Sequence, residues 1–384
     1  MTTAVTDWHD HAHRLADELE QAGKLTTPEW RQAICAVPRH ELVPTYHQPT
    51  SEGTWREIDT STDEGLRTVY SNTVLVTALT TGTAGTTVLS SSTQPGLMTR
   101  MLEALDVHDE HRVLEVGTGT GYNAALLAHR LGDERVFSID VEPHLVEIAR
   151  NRLARVGYHP TLAVGDGAAG LAEHAPFDRV IATCAVPSIP WSWVEQTQPG
   201  GVILTDVKPA LGAGSLVRLT RHDDRAEGRF DATYAAFMDL RHHPGGNLTP
   251  ARTERDHSHA EHRTSPLDPR TPWTSMIVWF LASFALGRTI SFGYTGADTT
   301  QPPTASWIST LDGSWAEISL TGEGGQYTVA EGGPRRLWSL IENAHQRWTD
   351  LGTPGWGRFG LTVTPERQLV WLDEPHGESI GELT

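Results

Sequence analysis

The sequence is poor in cysteine and in positive charge, and each shortage excludes a class of protein. Its 384 residues contain two cysteines, Cys35 and Cys184, too few for a disulfide framework or a cysteine zinc site. Thirty Lys and Arg residues against 48 Asp and Glu residues give a net charge of −18. Such a charge argues against nucleic acids and anionic membranes as partners, since both attract positive surfaces.

Long apolar runs are also missing. The longest, over residues 276–286, is far shorter than the roughly 20 residues that a membrane helix needs. The first residues, MTTAVTDWHDHAH, contain no apolar signal core. The charged fraction of 20% and the hydrophobic fraction of 38% are those of a globular chain. We therefore expect a soluble, cytoplasmic protein.

The length favours two domains, or one catalytic domain with a large appendage. Between residues 112 and 204, short apolar runs alternate with helical patterns across short links, which predicts a parallel α/β sheet. Eight of the 13 tryptophans lie beyond residue 270. There, 277–280 is predicted as a strand and 335–349 as an amphipathic helix. The predicted division is an N-terminal segment of helices and strands, an α/β core, a linker and a smaller α+β domain, over residues 1–100, 101–241, 242–272 and 273–384.

Three glycines at alternate positions follow the first buried strand of the core. Gly117, Gly119 and Gly121 form a GxGxG pattern, with Glu115 two residues before it. Glycines let the backbone pass close to a ligand. A dinucleotide phosphate loop would read GxGxxG, and an acid at the strand end suits a cation rather than an anion. The pattern therefore favours S-adenosylmethionine, which carries an ammonium and a sulfonium but no phosphate.

Two more acids follow the next two strands. Asp140, next to Val141, ends the second strand and is predicted to accept hydrogen bonds from both ribose hydroxyls. Asp166, next to Gly167, follows the third strand and is predicted to accept from the adenine amino group. Thr118 of the glycine loop completes the predicted cofactor site. These positions converge because the carboxyl ends of parallel strands meet at one edge of a sheet.

Several segments together carry a family resemblance. They read VPRHELVP at 37–44, SSTQP at 91–95, VLEVGTGTGYNAALL at 113–127, FDRVIATCA at 177–185, PSIP at 187–190 and PGG at 199–201. Over about residues 30–210, the chain resembles the protein-L-isoaspartate O-methyltransferase family. The resemblance implies a Rossmann-like class I S-adenosylmethionine methyltransferase core, with S-adenosylhomocysteine as the product.

The resemblance also implies roles for particular residues. The family's active-site hydroxyl, a serine, falls on Thr93, and Ser92 beside it is a second candidate. The family's glycine-loop contacts fall on Glu115, Gly117 and Gly119.

Three departures from the family pattern indicate a branch of it. Residues 78–85, ALTTGTAG, replace the family's PLPIGxGQ stretch; Gly96 replaces a frequent histidine; and the chain continues for about 140 residues after the sheet. These features resemble the longer members that accompany graspetides, lanthipeptides and lasso peptides, the graspetide type first. Such members methylate an Asp side chain of a cyclised, ribosomally made peptide, and the ester collapses to an aspartimide. The resemblance thus implies a modified peptide as partner, recognised by the C-terminal domain.

Other interpretations stay open. The chain could instead repair isoaspartyl residues in damaged proteins, or bind its cofactor as a scaffold without turnover. The C-terminal tryptophans are predicted mainly to fill a core, although several could face the substrate. Arg335 and Arg336 are predicted to begin a surface helix rather than to hold an acidic peptide.

Two further features have a bland and a functional interpretation. His257, His259 and His262 could bind a metal ion, but a solvated linker explains them better, and no metal is predicted. Cys184 is predicted to pack as a core thiol rather than to act as a nucleophile.

Overall fold

A computed structural model of the protein describes residues 7–51, 53–82, 85–245, 255–296 and 302–383. Two features of the sequence therefore lie partly outside the described residues. They are residues 83–84 of the ALTTGTAG stretch and residues 246–254 of the predicted linker.

Four helices and an antiparallel sheet form the N-terminal segment. The helices are α1 (Trp8–Gln21), α2 (Pro28–Ala36), α3 (Arg39–Leu42) and α4 (Asp63–Val69). The strands, in the spatial order β2-β1-β3-β4, are β1 (Thr45–Pro49), β2 (Trp55–Asp59), β3 (Leu75–Gly82) and β4 (Gly85–Ser92). Pro28 opens α2, because the backbone N–H that proline lacks has no partner in the first turn of a helix. Thr93 follows directly after the last residue of β4.

The core is the parallel α/β sheet that the sequence predicted. Its strands are β5 (Val113–Val116), β6 (Val136–Asp140), β7 (Thr161–Val164), β8 (Phe177–Val186) and β9 (Thr197–Ala210), in the spatial order β7-β6-β5-β8-β9. Its helices are α5 (Pro95–Leu105), α6 (Tyr122–Leu131), α7 (Pro143–Arg155) and α8 (Trp191–Gln196). All four strand pairs within it are parallel, so the loops after β5, β6 and β7 share one edge.

Two antiparallel strands extend this sheet, and a second sheet follows. The extending strands are β10 (Ala213–Arg221) and β11 (Ala226–Phe230). The second sheet, in the spatial order β12-β16-β15-β14-β13, consists of β12 (Glu261–Ser265), β13 (Ile290–Thr295), β14 (Ala305–Thr310), β15 (Trp315–Glu323) and β16 (Gln326–Gly332). The accompanying helices are α9 (Thr271–Thr274), α10 (Met276–Leu286) and α11 (Leu337–Asp350).

The last strands of the chain return to the central sheet. They are β17 (Phe359–Val363), β18 (Gln368–Leu372) and β19 (Glu378–Leu383). Because β17 pairs with β11, the central sheet has ten strands from β19 to β7. The structure here differs from the predicted division, which placed residues 273–384 in a separate domain. Backbone hydrogen bonds between β11 and β17 are invisible in the sequence, since more than a hundred residues separate the two strands.

The prediction of a strand at residues 277–280 is wrong, because these residues lie inside helix α10. A short apolar run cannot be assigned to strand or helix by periodicity alone. Most of α10 is buried, because it packs against β9, β10, β19 and α11. A helix covered on all sides is apolar on all sides and shows no amphipathic pattern.

The predicted linker, residues 242–272, also differs from the structure. Strand β12 lies within it, and Arg263 of that strand pairs with Glu331 at 3.0 Å and with Glu342 at 2.8 Å. Polar composition suggested a linker, but these charged side chains are paired across the second sheet and α11.

Apolar side chains form two clusters, one on each face of the central sheet. The N-terminal helices contribute to one cluster, and α10, α11 and the second sheet contribute to the other. In the described part of the chain, no helix is long and apolar enough to cross a membrane.

Candidate active site

A cavity of about 980 Å³ lies at the carboxyl edge of the parallel strands. Its walls come from the end of β4, the start of α5, the loops after β5 and β6, and the segment 233–241. A smaller cavity of about 40 Å³ adjoins it at the glycine loop. All residues that line the larger cavity precede residue 242, so none of them belongs to the described stretch 255–383.

The glycine loop forms the floor between the two cavities. Gly117, Gly119 and Gly121 have φ values of +99°, +51° and +83°, which favour glycine over other residues. A Cβ atom at Gly117 would lie 2.7 Å from Thr183 Oγ1. The Thr183 hydroxyl in turn donates to the Gly117 carbonyl oxygen at 2.9 Å. The loop is therefore fixed from below, with its backbone open to a ligand above.

Asp140 lies where a ribose acid was predicted. It lines the cavity at the end of β6, together with Val141. Its Oδ2 accepts from the Gly119 N–H at 3.0 Å, and its Oδ1 accepts from the Glu142 N–H at 3.1 Å. A carboxylate has further acceptor sites, so Asp140 can still bind a diol.

Glu115 and Thr118 lie deeper than a direct cofactor contact would require. Both line the small cavity and not the large one. The Glu115 carboxylate accepts from Asn123 Nδ2 at 2.8 Å and from Ser138 Oγ at 2.5 Å. The Thr118 hydroxyl lies 2.6 Å from the same Ser138 oxygen. Burial raises the pKa of Glu115, whereas these two hydrogen bonds lower it. Burial is the larger effect, and the pKa is about 7. In this arrangement Glu115 braces the loop.

Asp166 also differs from the prediction. Its Oδ1 accepts from the Ala168 N–H at 2.9 Å, and its Oδ2 lies 2.9 Å from His242 Nδ1. Only its neighbour Gly167 lines the cavity. The sequence could not show the contact with His242, which comes from a distant segment.

The two predicted catalytic residues are held by a buried arginine. Arg39 of the VPRHELVP segment is 0% exposed. Its Nη2 donates to Ser92 Oγ at 3.1 Å and to the Thr93 carbonyl oxygen at 3.3 Å. Its Nη1 donates to the Val69 carbonyl oxygen at 2.7 Å. Thr93 lines both cavities, whereas Ser92 lines only the small one. The VPRHELVP motif is visible in the sequence, but the role of Arg39 depends on contacts with distant residues that the motif does not show.

The opposite wall contains charged residues that the sequence analysis missed. Lys208 Nζ lies 2.6 Å from Asp239 Oδ1 and donates to the Phe237 carbonyl oxygen at 2.6 Å. Behind this wall, Asp206 precedes Lys208 by two residues on β9 and is fully buried, and burial raises its pKa to about 6. Its Oδ2 accepts from the Phe237 N–H at 2.9 Å. These contacts hold the 233–241 segment against β9. Nothing in the local sequence pattern distinguishes this pair of acids from surface acids.

The mouth of the cavity is apolar. Val74, Leu211, Tyr234 and Met238 are all exposed and all line it. Exposed apolar side chains at the mouth of a cavity are typical of a surface that binds another molecule.

The remaining candidates lie elsewhere. None of the C-terminal tryptophans lines the cavity, and six of the eight are buried: Trp279, Trp307, Trp315, Trp338, Trp356 and Trp371. Burial raises the pKa of the Cys184 thiol, which lines the cavity. This favours a packed thiol over a nucleophile.

The basic side chains singled out in the C-terminal region make local contacts. His257 packs on Trp315 with ring centroids 4.7 Å apart. Within the described ranges, no three His, Cys, Asp or Glu side chains are grouped for a metal ion. Arg335 pairs with Asp312 at 2.8 Å, and Arg336 contacts Glu261.

Comparisons with known proteins agree with this geometry. A family model described as protein-L-isoaspartate(D-aspartate) O-methyltransferase matches residues 10–240. A protein-L-isoaspartate O-methyltransferase from Rhodospirillum rubrum is 37% identical over 231 residues, which are 59% of this chain and 92% of that protein. Its counterpart from Pyrobaculum islandicum is 30% identical over 234 residues, which are 60% of this chain and 99% of that protein.

A solved structure of a protein-L-isoaspartate O-methyltransferase has a similar fold. It superposes with a TM-score of 0.54 at 21% identity, over 94% of this chain and 100% of that chain. The fold likeness therefore extends well beyond the part that the family model matches.

Proposed function

Because the chain belongs to the protein-L-isoaspartate(D-aspartate) O-methyltransferase family, we propose that it esterifies an Asp side chain in a macrocyclic, ribosomally made peptide. In this proposal the ester then closes to an aspartimide. At the family level, the chain is an S-adenosylmethionine-dependent carboxyl O-methyltransferase that acts on a protein or peptide. The two cysteines, both free, support a cytoplasmic location.

The donor set fits S-adenosylmethionine. The glycine loop has no side chain at Gly117, where a Cβ atom would collide with Thr183. Asp140 presents acceptor oxygens beside this loop. When bound, S-adenosylmethionine supplies a methyl group activated by the sulfonium. We assign Gly117, Gly119, Asp140, Val141 and Gly167 to direct cofactor contact, because they line the large cavity. Glu115, Thr118 and Asp166 are proposed to position these residues.

The acceptor chemistry needs few groups from the protein. An Asp side chain has a pKa near 4 and is already ionised at neutral pH, so no general base is required. The main demands are proximity and alignment. We propose that the Thr93 hydroxyl orients the carboxylate, with Arg39 holding the Thr93 backbone and Ser92. A neutral hydroxyl suits this role, because a second free carboxylate there would compete for the methyl group.

The following ring closure is proposed to be largely intrinsic to the peptide. The backbone nitrogen of the next residue attacks the ester carbonyl carbon, the methoxy group leaves as methanol, and the nitrogen loses its proton. A constrained ring holds that nitrogen close to the ester. Purified ester that never cyclises after release would contradict this step.

The proposal of a peptide substrate rests on the size of the cavity and on the apolar side chains at its mouth. A volume of about 980 Å³ lies at the upper end of the range for small-molecule and cofactor pockets, about 300–1,000 Å³. The exposed side chains of Val74, Leu211, Tyr234 and Met238 at its rim suit the apolar groups of a bulky peptide.

Isoaspartyl repair is the second candidate, because the relatives are named for it. The length of the chain does not separate the two functions, since a solved protein-L-isoaspartate O-methyltransferase aligns over 94% of it. The difference must come from the substrate side of the cavity.

Mass spectrometry of a linear isoaspartyl peptide incubated with S-adenosylmethionine and the protein tests the proposal. Calorimetry measures cofactor binding separately. Cofactor binding without a mass change is the result expected, and the precursor peptide encoded beside the protein is assayed next. Gain of one methylene by the linear peptide, followed by loss of methanol, would favour repair. Methyl transfer to either peptide would dismiss the scaffold interpretation.

A further inference from the structure

The cations that line the cavity differ in how they are paired. They are Lys24, Arg100, Lys208 and Arg241. Lys208 lies 2.6 Å from Asp239, and Arg241 contacts the carboxylate of Glu142. Within the described residues, Lys24 forms no ion pair, and Arg100 has only a long one, with 3.9 Å between its Nε and Asp231 Oδ2. One wall of the cavity is therefore neutralised and the other carries unmatched positive charge.

The Arg100 guanidinium has unused hydrogen-bond donors. Its Nε and Nη2 are shielded from solvent, yet they have no hydrogen-bond partner among the described residues. Unsatisfied buried donors are rare because their desolvation is not compensated. A planar guanidinium matches the two oxygens of a carboxylate. The Arg100 side chain as a whole lines the cavity and keeps 21% of its surface exposed, so its charge is accessible to an acidic ligand there.

The Lys24 side chain lies over α5 at Gly96, one helical turn before Arg100. Gly96 and Arg100 are four residues apart on α5 and share a face of the helix. A Cβ atom at Gly96 would lie 2.7 Å from Lys24 Cδ, so the lysine stem occupies the space above this glycine. Gly96 is one of the positions at which the sequence departs from the family pattern.

Glu103 fixes the chain that carries Lys24. Its Oε1, also on α5, accepts from the Thr26 N–H at 2.7 Å and the Thr27 N–H at 2.9 Å. The segment after Lys24 is thereby held on the helix. Because α5 begins two residues after Thr93, both cations lie on the side of the cavity where the acceptor carboxylate is proposed to bind.

We propose that Lys24 and Arg100 form a subsite for a second carboxylate of the substrate peptide, close in sequence to the aspartate that is methylated. This rests on the proposed function, because it assumes a peptide in the cavity. The net charge of −18 repels an acidic peptide, and a local pair of cations offsets this repulsion at the point of entry. The substrate class is thereby narrowed to acidic peptides.

A binding experiment tests the subsite without requiring methyl transfer. Two fluorescein-labelled macrocyclic octapeptides share one Asp-Gly step, which is flanked by Glu in one peptide and by Gln in the other. Fluorescence anisotropy measures their affinity for the protein saturated with S-adenosylhomocysteine. We expect the Glu peptide to bind about fivefold more tightly, as for a few solvent-accessible ion pairs. The Lys24→Gln/Arg100→Gln variant is expected to bind both peptides equally.

Arg288→Gln provides the matched control, since Arg288 is exposed and does not line the cavity. It is expected to keep the preference for the Glu peptide. Failure of the wild type to bind the Glu peptide, equal binding of both peptides, or a preference that survives the double substitution would overturn the subsite. Should the double variant lose S-adenosylhomocysteine binding, the single Lys24→Gln variant carries the same test. Methyl transfer is scored separately by mass, so failure of the proposed function remains distinguishable.

Discussion

The residues before 246 and the residues after 254 share one ten-stranded sheet but use their large side chains differently. The first region supplies every residue that lines the large cavity, including hydroxyls, carboxylates and cations. The second region instead buries six of its eight tryptophans and, as far as the structure describes it, supplies no lining residue. An extension can thus be continuous with a catalytic core and still act on the site only through the residues that it supports.

Two contacts carry that support. The Trp279 indole N–H donates to the Leu211 carbonyl oxygen at 2.8 Å, at the tip of the hairpin that presents Leu211 to the cavity mouth. Trp356 packs near Tyr234 with ring centroids 6.3 Å apart. Both supported residues belong to the apolar rim. The C-terminal region is therefore expected to influence peptide binding, and not cofactor binding.

The largest effect is expected on stability, in the second region. Trp338 is 1% exposed, and its indole N–H donates to Ser265 Oγ at 3.0 Å. Replacing it with alanine should lower the free energy of unfolding by about 3–5 kcal/mol, because it opens a cavity in a close-packed core. Urea unfolding measures the loss, and calorimetry should find cofactor affinity unchanged at a temperature where the variant is folded. Trp338→Phe should lose less. A large loss of cofactor affinity in folded Trp338→Ala would contradict the expectation that the C-terminal region does not influence cofactor binding.

The next effect is expected on cofactor binding, in the first region. Asp140→Asn replaces one of the two oxygens that accept from the Gly119 and Glu142 N–H groups with a donor. We expect S-adenosylmethionine affinity to fall about 10- to 100-fold, as for a lost hydrogen bond to a charged group. Calorimetric titration gives the affinity. Asp223→Asn, an equal charge change at an exposed position, should have no effect. Unchanged S-adenosylmethionine affinity in Asp140→Asn would contradict the assignment of Asp140 to the cofactor site.

The parallel core could be predicted because each part of it is local. The strands Val113–Val116 and Thr161–Val164 and the helix Tyr122–Leu131 lie within residues 112–204, where the sequence predicts alternating strands and helices. Each is a continuous apolar run or a helical pattern, bounded by glycine or by a polar turn. The position of Asp140 at a strand end then followed from the alternation of strands and helices.

The rest depends on contacts between distant segments. Pairing of β17 with β11, the contact of Asp166 with His242 and the position of Lys24 above Gly96 each join residues far apart in sequence. Periodicity and spacing contain no information about such partners. For the same reason, Arg39 was assigned to a motif without its function of holding Ser92 and Thr93.

The pH dependence of the unfolding free energy should distinguish the buried Glu115 from the surface acids of the first region. Burial is the main reason that the pKa of Glu115 is raised from 4.5 to about 7. Between these two pH values the folded state binds the proton more tightly than the unfolded state, so unfolding free energy is lost as the pH rises from 4.5 to 7. Glu115→Gln cannot ionise and should abolish about 1–3 kcal/mol of this decline.

Urea unfolding of both proteins on either side of this range measures the difference. Glu173→Gln, at an exposed position, should retain the wild-type decline. The same decline in Glu115→Gln would show that Glu115 keeps its ordinary pKa.

A smaller effect is expected on the rate of methyl transfer. Thr93→Val keeps the shape of the side chain but removes the hydroxyl proposed to orient the acceptor. We expect kcat to fall about tenfold, the effect of losing one hydrogen bond to a carboxylate, with cofactor affinity unchanged. Thr93→Ser should restore most of the rate. Full activity of Thr93→Val with unchanged cofactor affinity would contradict the role of this hydroxyl.

The smallest effect is expected where the two regions meet. Trp279→Phe keeps an aromatic ring in the core but removes the hydrogen bond to Leu211, at a cost of about 1 kcal/mol. Trp348→Phe is the matched control, because its indole N–H donates to the Pro354 carbonyl oxygen at 3.0 Å within the C-terminal region. Trp279→Phe should lose more stability in urea than Trp348→Phe, because Trp279 is 1% exposed and Trp348 is only partly buried. Only Trp279→Phe should raise KM for the peptide that accepts the methyl group, since only this substitution frees a residue of the cavity mouth. Equal KM values in the two variants would mean that the C-terminal region stabilises the fold without shaping the site.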